Sequence, residues 1–468
     1  MSKTYESYDI EPEQAKALEE LNEIVGKKIP FLDERGLPAF GFKVRDRHVI
    51  GLWLYNCGLE KFPKVIFEFK ELKELYLSYN LLNSIPTSIE NLHLLQNLNL
   101  TWNFLTTLPE SIGNLDSLQE LKLDSNKIYA LPELFGKLHS IEILELGDNQ
   151  IDDLPESFGE LNSLKKLFLN KNLLNHLPES ITNLKSLNIL NLENNNLKVL
   201  PISLKNLKSL HTLTLAGNEL KKLTDQIIEP ALSLKSLHTL DFSHNLLKNL
   251  PDSIGEFENL KVLRLRENLL KTLPDSFGNL KSLKSLDLCK NKFKIFPEAV
   301  LKLTQLKRLF FEGNELKTLP KSFDNLKSLE KLFLEENQLT SLPESFGNLS
   351  SLQRVYIVRN YIERLPDSID NLKSLKTLDL RNNRLQTLPR SLFDLQELQE
   401  LDLRYNKFET IPGSIWKLKG IKQYFLKLDG NPLDVKSRNV IAGGLKTIQK
   451  FSRERDKLKG LLENKDHR

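Results

Sequence analysis

The feature that most constrains the fold is a repeat of 23 residues that runs through most of the chain. The segment Leu72-x-x-Leu75-x-Leu77-x-x-Asn80 recurs along the sequence. Its asparagine position occurs 17 times, and 14 of the 16 intervals are 23 residues, with exceptions of 27 and 25. Repetition at this period predicts a stack of similar units that stabilise one another. The positions are Cys57, Asn80, Asn103, Asn126, Asn149, Asn172, Asn195, Asn218, Asn245, Asn268, Asn291, Asn314, Asn337, Asn360, Asn383, Asn406 and Asn431.

The residues of one repeat predict its local structure. Leucine alternation predicts a short strand with its leucines in the core, because successive strand side chains point to opposite faces. The asparagine amide can satisfy backbone groups that a turn leaves free, so we expect a buried ladder of amides. Proline six residues later, as at Pro63 and Pro86, predicts a short helical or 3-10 turn with a nearby serine available to cap it. The predicted fold class is an α/β solenoid with a parallel concave sheet and turns on the convex side.

The pattern L-x-x-L-x-L-x-x-[N/C]-x-L, over about residues 49–433, resembles the leucine-rich repeat family, which accepts cysteine at the position of Cys57. The tail of each unit, as in LPESFGNL from residue 342, resembles the 23-residue cytoplasmic subclass. Ras-binding scaffold proteins and plant intracellular Ras-group proteins belong to that subclass. The resemblance implies a horseshoe that recognises proteins with its concave face.

Three regions follow from the pattern. Residues 1–48 form an expected N-terminal cap with a helix over Glu13–Val25 and a hairpin of Phe40–Val44 with Val49–Leu54. Residues 49–433 form the array of about 17 units, and residues 434–468 form a C-terminal capping helix with a basic tail. The 27-residue unit contains Thr224–Ser236 in place of the usual turn, which reads as a tolerated insertion or as a longer convex helix.

Composition narrows the class of protein. The 66 Lys and Arg residues nearly balance 62 Asp and Glu residues, which argues against a dedicated nucleic-acid binder. The only cysteines, Cys57 and Cys289, exclude a disulfide framework and favour a reducing compartment, so we expect a cytoplasmic protein. The N-terminal residues show no signal-peptide pattern, and no apolar run of about 18 residues predicts a membrane span.

Motifs for catalysis are missing from the sequence. It contains no phosphate loop, HExxH, CxxC or G-x-S-x-G pattern. His211, His238 and His244 come from neighbouring repeats and read more simply as polar surface residues than as a metal or catalytic site. Cys57 is expected to be buried, and Cys289 has no visible activating partner. We therefore expect no enzyme, no cofactor, no metal and no small-molecule substrate.

The residues between the leucines indicate where a partner binds. At the middle strand position, Phe310, Phe333 and Tyr356 occur in three consecutive repeats and predict a continuous aromatic stripe on the concave face. Two interpretations stay open, a partner site and simple stabilisation by stacked rings. Arginines are expected on the C-terminal side of the stripe, and Glu335 and Glu336 lie towards its N-terminal half. The arginines are Arg354, Arg359, Arg381 and Arg404.

A second aromatic cluster lies near the N-terminus, where tyrosine and tryptophan are typical of binding hot spots. The alternative is that residues 1–10, with Tyr5 and Tyr8, fold over this patch. Its members are Trp53, Tyr55, Tyr76, Tyr79 and Trp102.

These observations favour a non-catalytic scaffold that binds a protein partner on its concave face. The family resemblance suggests small-GTPase-type signalling. One alternative is a substrate-recognition effector for a separate ligase. Another is association with an anionic membrane or nucleic acid through residues 436–468, which carry 10 basic and 4 acidic residues.

Overall fold

The computed structural model describes residues 5–32, 40–201, 204, 206–221, 234–421 and 425–463. The chain forms two compact units, Met1–Asp241 and Phe242–Arg468. Both units contain the same element, a three-residue strand followed by a turn, a proline and a 3-10 helix. The predicted insertion at Thr224–Ser236 lies largely outside the described residues.

The strands confirm the predicted solenoid of parallel strands. β1 pairs antiparallel with β2 as the predicted hairpin, and within each unit the following strands pair in register with their neighbours, for example Leu309 with Leu332. Within the first unit the parallel ladder runs from β2 to β10, and within the second from β11 to β18. The strands are β1 Phe40–Arg45, β2 His48–Leu54, β3 Glu74–Tyr76, β4 Asn97–Asn99, β5 Glu120–Lys122, β6 Ile143–Glu145, β7 Lys166–Phe168, β8 Ile189–Asn191, β9 Thr212–Thr214, β10 Thr239–Asp241, β11 Val262–Arg264, β12 Ser285–Asp287, β13 Arg308–Phe310, β14 Lys331–Phe333, β15 Arg354–Tyr356, β16 Thr377–Asp379, β17 Glu400–Asp402 and β18 Leu426–Lys427.

The turns behind the strands are 3-10 helices, as predicted, but serine does not cap them. From Lys64–Glu68 to Arg390–Asp394, proline occupies the cap position of these helices in an extended conformation, so a serine such as Ser111 stands two residues later and cannot reach the cap. Ser414 precedes Ile415–Lys417 but makes no capping hydrogen bond through its side chain. Ser157 instead donates to the Glu133 carbonyl of the preceding repeat at 2.7 Å. The 3-10 helices are Tyr5–Tyr8, Lys64–Glu68, Thr87–Asn91, Glu110–Asn114, Glu133–Lys137, Glu156–Glu160, Glu179–Asn183, Asp252–Glu256, Asp275–Asn279, Glu298–Lys302, Lys321–Asn325, Glu344–Asn348, Asp367–Asn371, Arg390–Asp394 and Ile415–Lys417.

The amide ladder forms as predicted and closes one edge of the core. Asn268 is 3% exposed, and its Nδ2 donates to the carbonyls of Phe242 and Leu265 at 2.9 and 3.1 Å. Its Oδ1 accepts from the Leu247 amide at 3.0 Å. The Asn268 amide therefore ties its own turn to the preceding repeat.

The burial predicted for Cys57 is wrong, because this side chain is half-exposed. A ladder asparagine packs against the parallel repeat that precedes it. Asn80, for example, donates to the Leu54 carbonyl of that repeat. β2 has only the antiparallel β1 on that side, so the Cys57 position has no equivalent cover.

α-Helices lie near both ends of the chain. α1 (Pro12–Val25) buries Leu18 and Leu21 and is joined to the hairpin where Gln14 Oε1 accepts from the Val49 amide at 2.8 Å. The expected C-terminal helix is two helices, α2 (Val435–Ala442) and α3 (Gly444–Glu463). The break falls at Gly443, between the two helices, and the next residue, Gly444, has a φ of +79°, a left-handed conformation that favours glycine.

Candidate functional site

The open face of the sheet, meaning the side turned away from the leucine core, presents an aromatic stripe on β13, β14 and β15. The rings of Phe310 and Phe333 stack with centroids 4.6 Å apart, and those of Phe333 and Tyr356 stack at 4.9 Å. All three rings are half-buried. Leu309 and Leu332, their neighbours in the chain, are fully buried on the other face. The sequence therefore predicted this side-by-side arrangement correctly.

A row of cations borders the stripe on the N-terminal side of each strand. Arg308, Lys331 and Arg354 pair in register across β13–β15, two residues before the aromatic rings. None of the three forms an ion pair with another described residue. Arg354 of this row was predicted from the sequence. Arg308 and Lys331 were not predicted, because only the middle position of each strand was considered there. The signal was present, since all three residues stand six positions before an asparagine of the ladder.

Carboxylates border the stripe on the opposite side. Glu312 and Glu335 follow the rings by two residues, and burial raises the pKa of Glu335 to about 7, with further increases from the charges of Glu312, Asp379 and Glu336. The Oε2 atom of Glu335 is buried without a hydrogen-bond partner among the described residues. This oxygen is therefore an unfilled acceptor at the edge of the stripe.

Two of the predicted arginines are held by the protein itself. Arg381 Nη2 lies 2.8 Å from Asp379 Oδ2, and Arg404 binds both oxygens of Asp402 through Nε and Nη2. These hydrogen bonds raise the pKa of both guanidinium groups. Arg381 and Arg404 thus neutralise buried aspartates.

Arg359, predicted beside the same stripe, lies in the turn after β15. Its guanidinium pairs with the exposed Glu336 of the preceding repeat. Arg354 is therefore the one predicted arginine that the structure places unpaired beside the rings, among the described residues.

The N-terminal aromatic cluster divides into two stacks. Trp53 packs on Tyr76 at 5.5 Å and is only 3% exposed, because Lys43 of β1 lies over its ring at 5.0 Å. The second stack stays accessible, with Trp102 51% exposed and its ring 5.3 Å from that of Tyr79. The ring of Tyr55 lies beside this stack, tilted against that of Tyr79 with the centroids 5.0 Å apart. Trp53 is thus part of the hairpin packing, and the accessible surface consists of Tyr55, Tyr79 and Trp102.

Tyr5 and Tyr8 belong to the packing at the N-terminus. Their rings pack edge-on against Phe42 at 5.5 and 6.0 Å, and Tyr8 stacks on Phe31. The Tyr5 hydroxyl donates to Asn22 Oδ1. Their described ring contacts are therefore with the cap.

The histidines and cysteines that were considered for chemistry have structural contacts. His211 stacks on His238 at 5.1 Å, and His244 lies 2.8 Å from Glu267. No group of three or more metal-binding side chains occurs within the described part of the chain. Burial and the nearby Asp287 raise the pKa of the Cys289 thiol, which keeps it protonated and weakly nucleophilic near neutral pH.

Comparison with known proteins agrees with this architecture. The leucine-rich repeat model matches residues 70–128, 116–174, 162–220 and 373–433, and a leucine-rich repeat region model matches 253–355 and 287–382. No protein of curated function matches the chain significantly. A leucine-rich repeat protein of Leptospira interrogans shares 36% identity, covering 82% of this chain and 97% of that one, with a TM-score of 0.75.

Two plant receptors are similar as well. The peptide hormone receptor RGFR1, described in complex with RGF2, shares 30% identity over 82% of this chain and 67% of that chain, with a TM-score of 0.61. The Arabidopsis receptor kinase HAESA, described in complex with the peptide hormone IDA and the co-receptor SERK1, shares 25% identity over 90% and 76%, with a TM-score of 0.60.

The repeated strand, the amide ladder and these matches define a repeat solenoid of the kind that commonly serves as a protein-binding module without catalysis. The chain belongs to the leucine-rich repeat family. Within the described residues, no helix has the length and apolar character needed to cross a membrane.

Proposed function

We propose that this chain is a non-catalytic binding module whose protein partner docks on the stripe of Phe310, Phe333 and Tyr356. The observation that carries the proposal is that three aromatic rings stack in register on the open face and stay partly accessible there. Aromatic side chains dominate binding hot spots because they bury a large area at small entropic cost. Charged rows on both sides of the stripe supply specificity.

Two further observations support a protein or peptide as the partner. The fold is one commonly used for protein recognition, and two of the similar plant receptors are described in complex with peptide hormones. Residues beside the stripe, such as Arg354 and Glu335, offer hydrogen bonds that a polypeptide can satisfy.

The exposed stack of Tyr55, Tyr79 and Trp102 is a second candidate surface. Its residues are 42%, 45% and 51% exposed, and contiguous exposed apolar patches often mark interaction sites. The stripe is preferred because it combines rings with unpaired charges on both sides.

The setting of this binding function is also part of the proposal. Free thiols at Cys57 and Cys289 favour a cytoplasmic location. The 23-residue unit favours a scaffold role of the Ras-group type in small-GTPase signalling, and substrate recognition for a separate ligase is the alternative within the same binding class. Residues 1–48 and 434–468 are proposed to act as the caps of the array.

Capture from a lysate of the source organism, quantified by mass spectrometry, tests the choice of surface. We expect a protein retained by the wild type and by Trp102→Ala to be lost with Phe333→Ala. Tyr361→Ala is the matched control, because Tyr361 is 43% exposed but packs on Arg384 at 4.4 Å, away from the stripe. Loss with Trp102→Ala alone would move the site to the N-terminal stack, and equal retention by all variants would contradict the proposal.

A further inference from the structure

We infer that the stripe receives an amphipathic α-helix of the partner, lying along the three rings with an acidic edge over Arg308, Lys331 and Arg354 and a basic edge over Glu312 and Glu335. This inference rests on the proposed function and adds the shape and charge of the partner segment. It follows from the hydrogen bonding of the strands, the dimensions of the stripe and the charges beside it.

The backbone of β13–β15 offers nothing to an incoming strand. Its residues already pair with both neighbouring strands, as Lys331 does with Arg308 and Arg354. A partner on this face meets side chains only, so an extended segment would find no backbone partners for its own amide and carbonyl groups and would depend on a few side chains to satisfy them. A helix satisfies those groups internally and presents only side chains in return.

The dimensions of the stripe fit two helical turns. Its ring centroids are 4.6 and 4.9 Å apart, close to the pitch of about 5.4 Å that separates side chains on successive turns of a helix. Aspartates end the stripe at both sides, since Asp287 pairs with Phe310 and Asp379 pairs with Tyr356. Apolar residues at i, i+3 or i+4, and i+7 of a helix would cover the three rings and no more.

The charged rows are spaced for the edges of the same helix. Arg308 and Glu312 are four residues apart, or about 13 Å along an extended chain, and a helix with its side chains is about 10–12 Å wide. The cations therefore lie under one edge of the helix and the carboxylates under the other. Glu312 is 3.9 Å from Arg266, which leaves Glu335 as the main acceptor on its side.

Glu335 is the carboxylate beside the stripe that is best placed to pair with a basic partner. Its Oε2 atom is buried and lacks a hydrogen-bond partner among the described residues, although the stripe beside it is open. A lysine or arginine on the basic edge of the helix would pair with the Glu335 carboxylate, and a charge-assisted hydrogen bond of this kind favours the ionised form of the group.

Selection from displayed random peptides of about 16 residues, long enough for four helical turns, tests this inference. Peptides are selected on the full chain and counter-selected on Phe333→Ala, and their affinities are then measured by fluorescence anisotropy. We expect apolar residues at i, i+3 or i+4, and i+7, acids on one edge and bases on the other. Phe333→Ala should weaken these peptides about 30-fold and Lys331→Glu about tenfold, whereas the control Tyr361→Ala leaves affinity unchanged.

A proline placed at the centre of a selected peptide provides the second measurement. It interrupts the helix, so we expect binding to fall about tenfold or more. Selected peptides that alternate acid, apolar and basic residues at every second position, or that tolerate the proline, would overturn the helix while leaving the stripe as the binding site. If no peptide depends on Phe333 and the lysate capture does not depend on it either, the proposed function itself fails.

Discussion

Among single residues, the asparagine of the ladder makes the side-chain hydrogen bonds on which the fold depends most. Asn268 Nδ2 donates to the carbonyls of Phe242 and Leu265 while Oδ1 accepts an amide of the preceding turn. Only a side chain with both a donor and an acceptor, and with the length of asparagine, satisfies all of these groups. The repeated asparagine in the sequence is therefore explained by hydrogen bonding.

Asn268→Asp tests this explanation. The carboxylate would face the carbonyls of Phe242 and Leu265, so the donor is lost and a buried charge is left unpaired. We expect the free energy of unfolding to fall by about 2–4 kcal/mol in urea denaturation. The matched control is Asn371→Asp at an exposed position, which should change it by less than about 0.5 kcal/mol. Equal midpoints for the two variants would show that the ladder bonds contribute little.

Glu335 gives a prediction that depends on pH. Its pKa is about 7 in the folded chain and 4.5 for an ordinary glutamate, and the groups facing it are Glu312, Glu336 and Asp379. Between pH 4.5 and 7 the folded state holds a proton that the unfolded state has released, so this residue lowers the free energy of unfolding as the pH rises. Glu335→Gln removes that titration.

Glu335→Gln should therefore have a higher free energy of unfolding than the wild type. We expect this gain to be about 1–2 kcal/mol larger at pH 8 than at pH 5, a figure already reduced for solvent screening of the side chain. Urea denaturation of both proteins at the two pH values measures this difference. A difference that is the same at both pH values would contradict the raised pKa.

At the element scale, each strand separates its core from its binding face by alternation alone. On β14, Leu332 is fully buried and Phe333 is half-buried on the opposite side. The element as a whole was predictable from leucine spacing. The prediction of a serine cap was wrong, because proline takes the cap position and the serine hydroxyl after it cannot reach the turn. The break between the two C-terminal helices was not predicted, because the apolar spacing of the sequence continues across it although the helix is interrupted there.

Leu332→Ala and Phe333→Ala should separate these two roles. Leu332→Ala leaves a cavity in a fully packed layer and is expected to cost about 2–5 kcal/mol of unfolding free energy. Phe333→Ala loses only stacking on its two neighbours, so we expect less than about 1.5 kcal/mol. Thermal melting of both variants compares them. Equal losses would make the stripe a structural feature.

At the scale of the whole molecule, both units share one framework and differ in the residues on their open faces. The first unit presents Tyr55, Tyr79 and Trp102, and the second presents the stripe between charged rows. The framework was readable from the sequence because every repeat restates it. The two cationic neighbours of Arg354, Arg308 and Lys331, became part of the site only when strand register was known. Likewise, the contact of Lys43 with the Trp53 ring became visible only when the pairing of β1 with β2 was known.

The basic C-terminal segment gives a prediction about anionic surfaces. Several of its cations are already engaged, since Arg455 donates to the Ile411 carbonyl at 2.8 Å and Arg453 lies 5.5 Å from the Trp416 ring. We expect cosedimentation with anionic lipid vesicles to disappear at about 150 mM salt, where exposed charges are screened beyond about 8 Å. Vesicle binding that persists at that salt concentration would favour the anionic-surface alternative.

Docking on the stripe is tested by the affinity of the captured partner for wild type, Phe333→Ala and Tyr361→Ala, measured by calorimetry on folded proteins. We expect Phe333→Ala to weaken binding by about 2 kcal/mol, or about 30-fold, and Tyr361→Ala to bind like the wild type. Equal affinities for all three proteins would contradict the claim that the partner docks on the stripe.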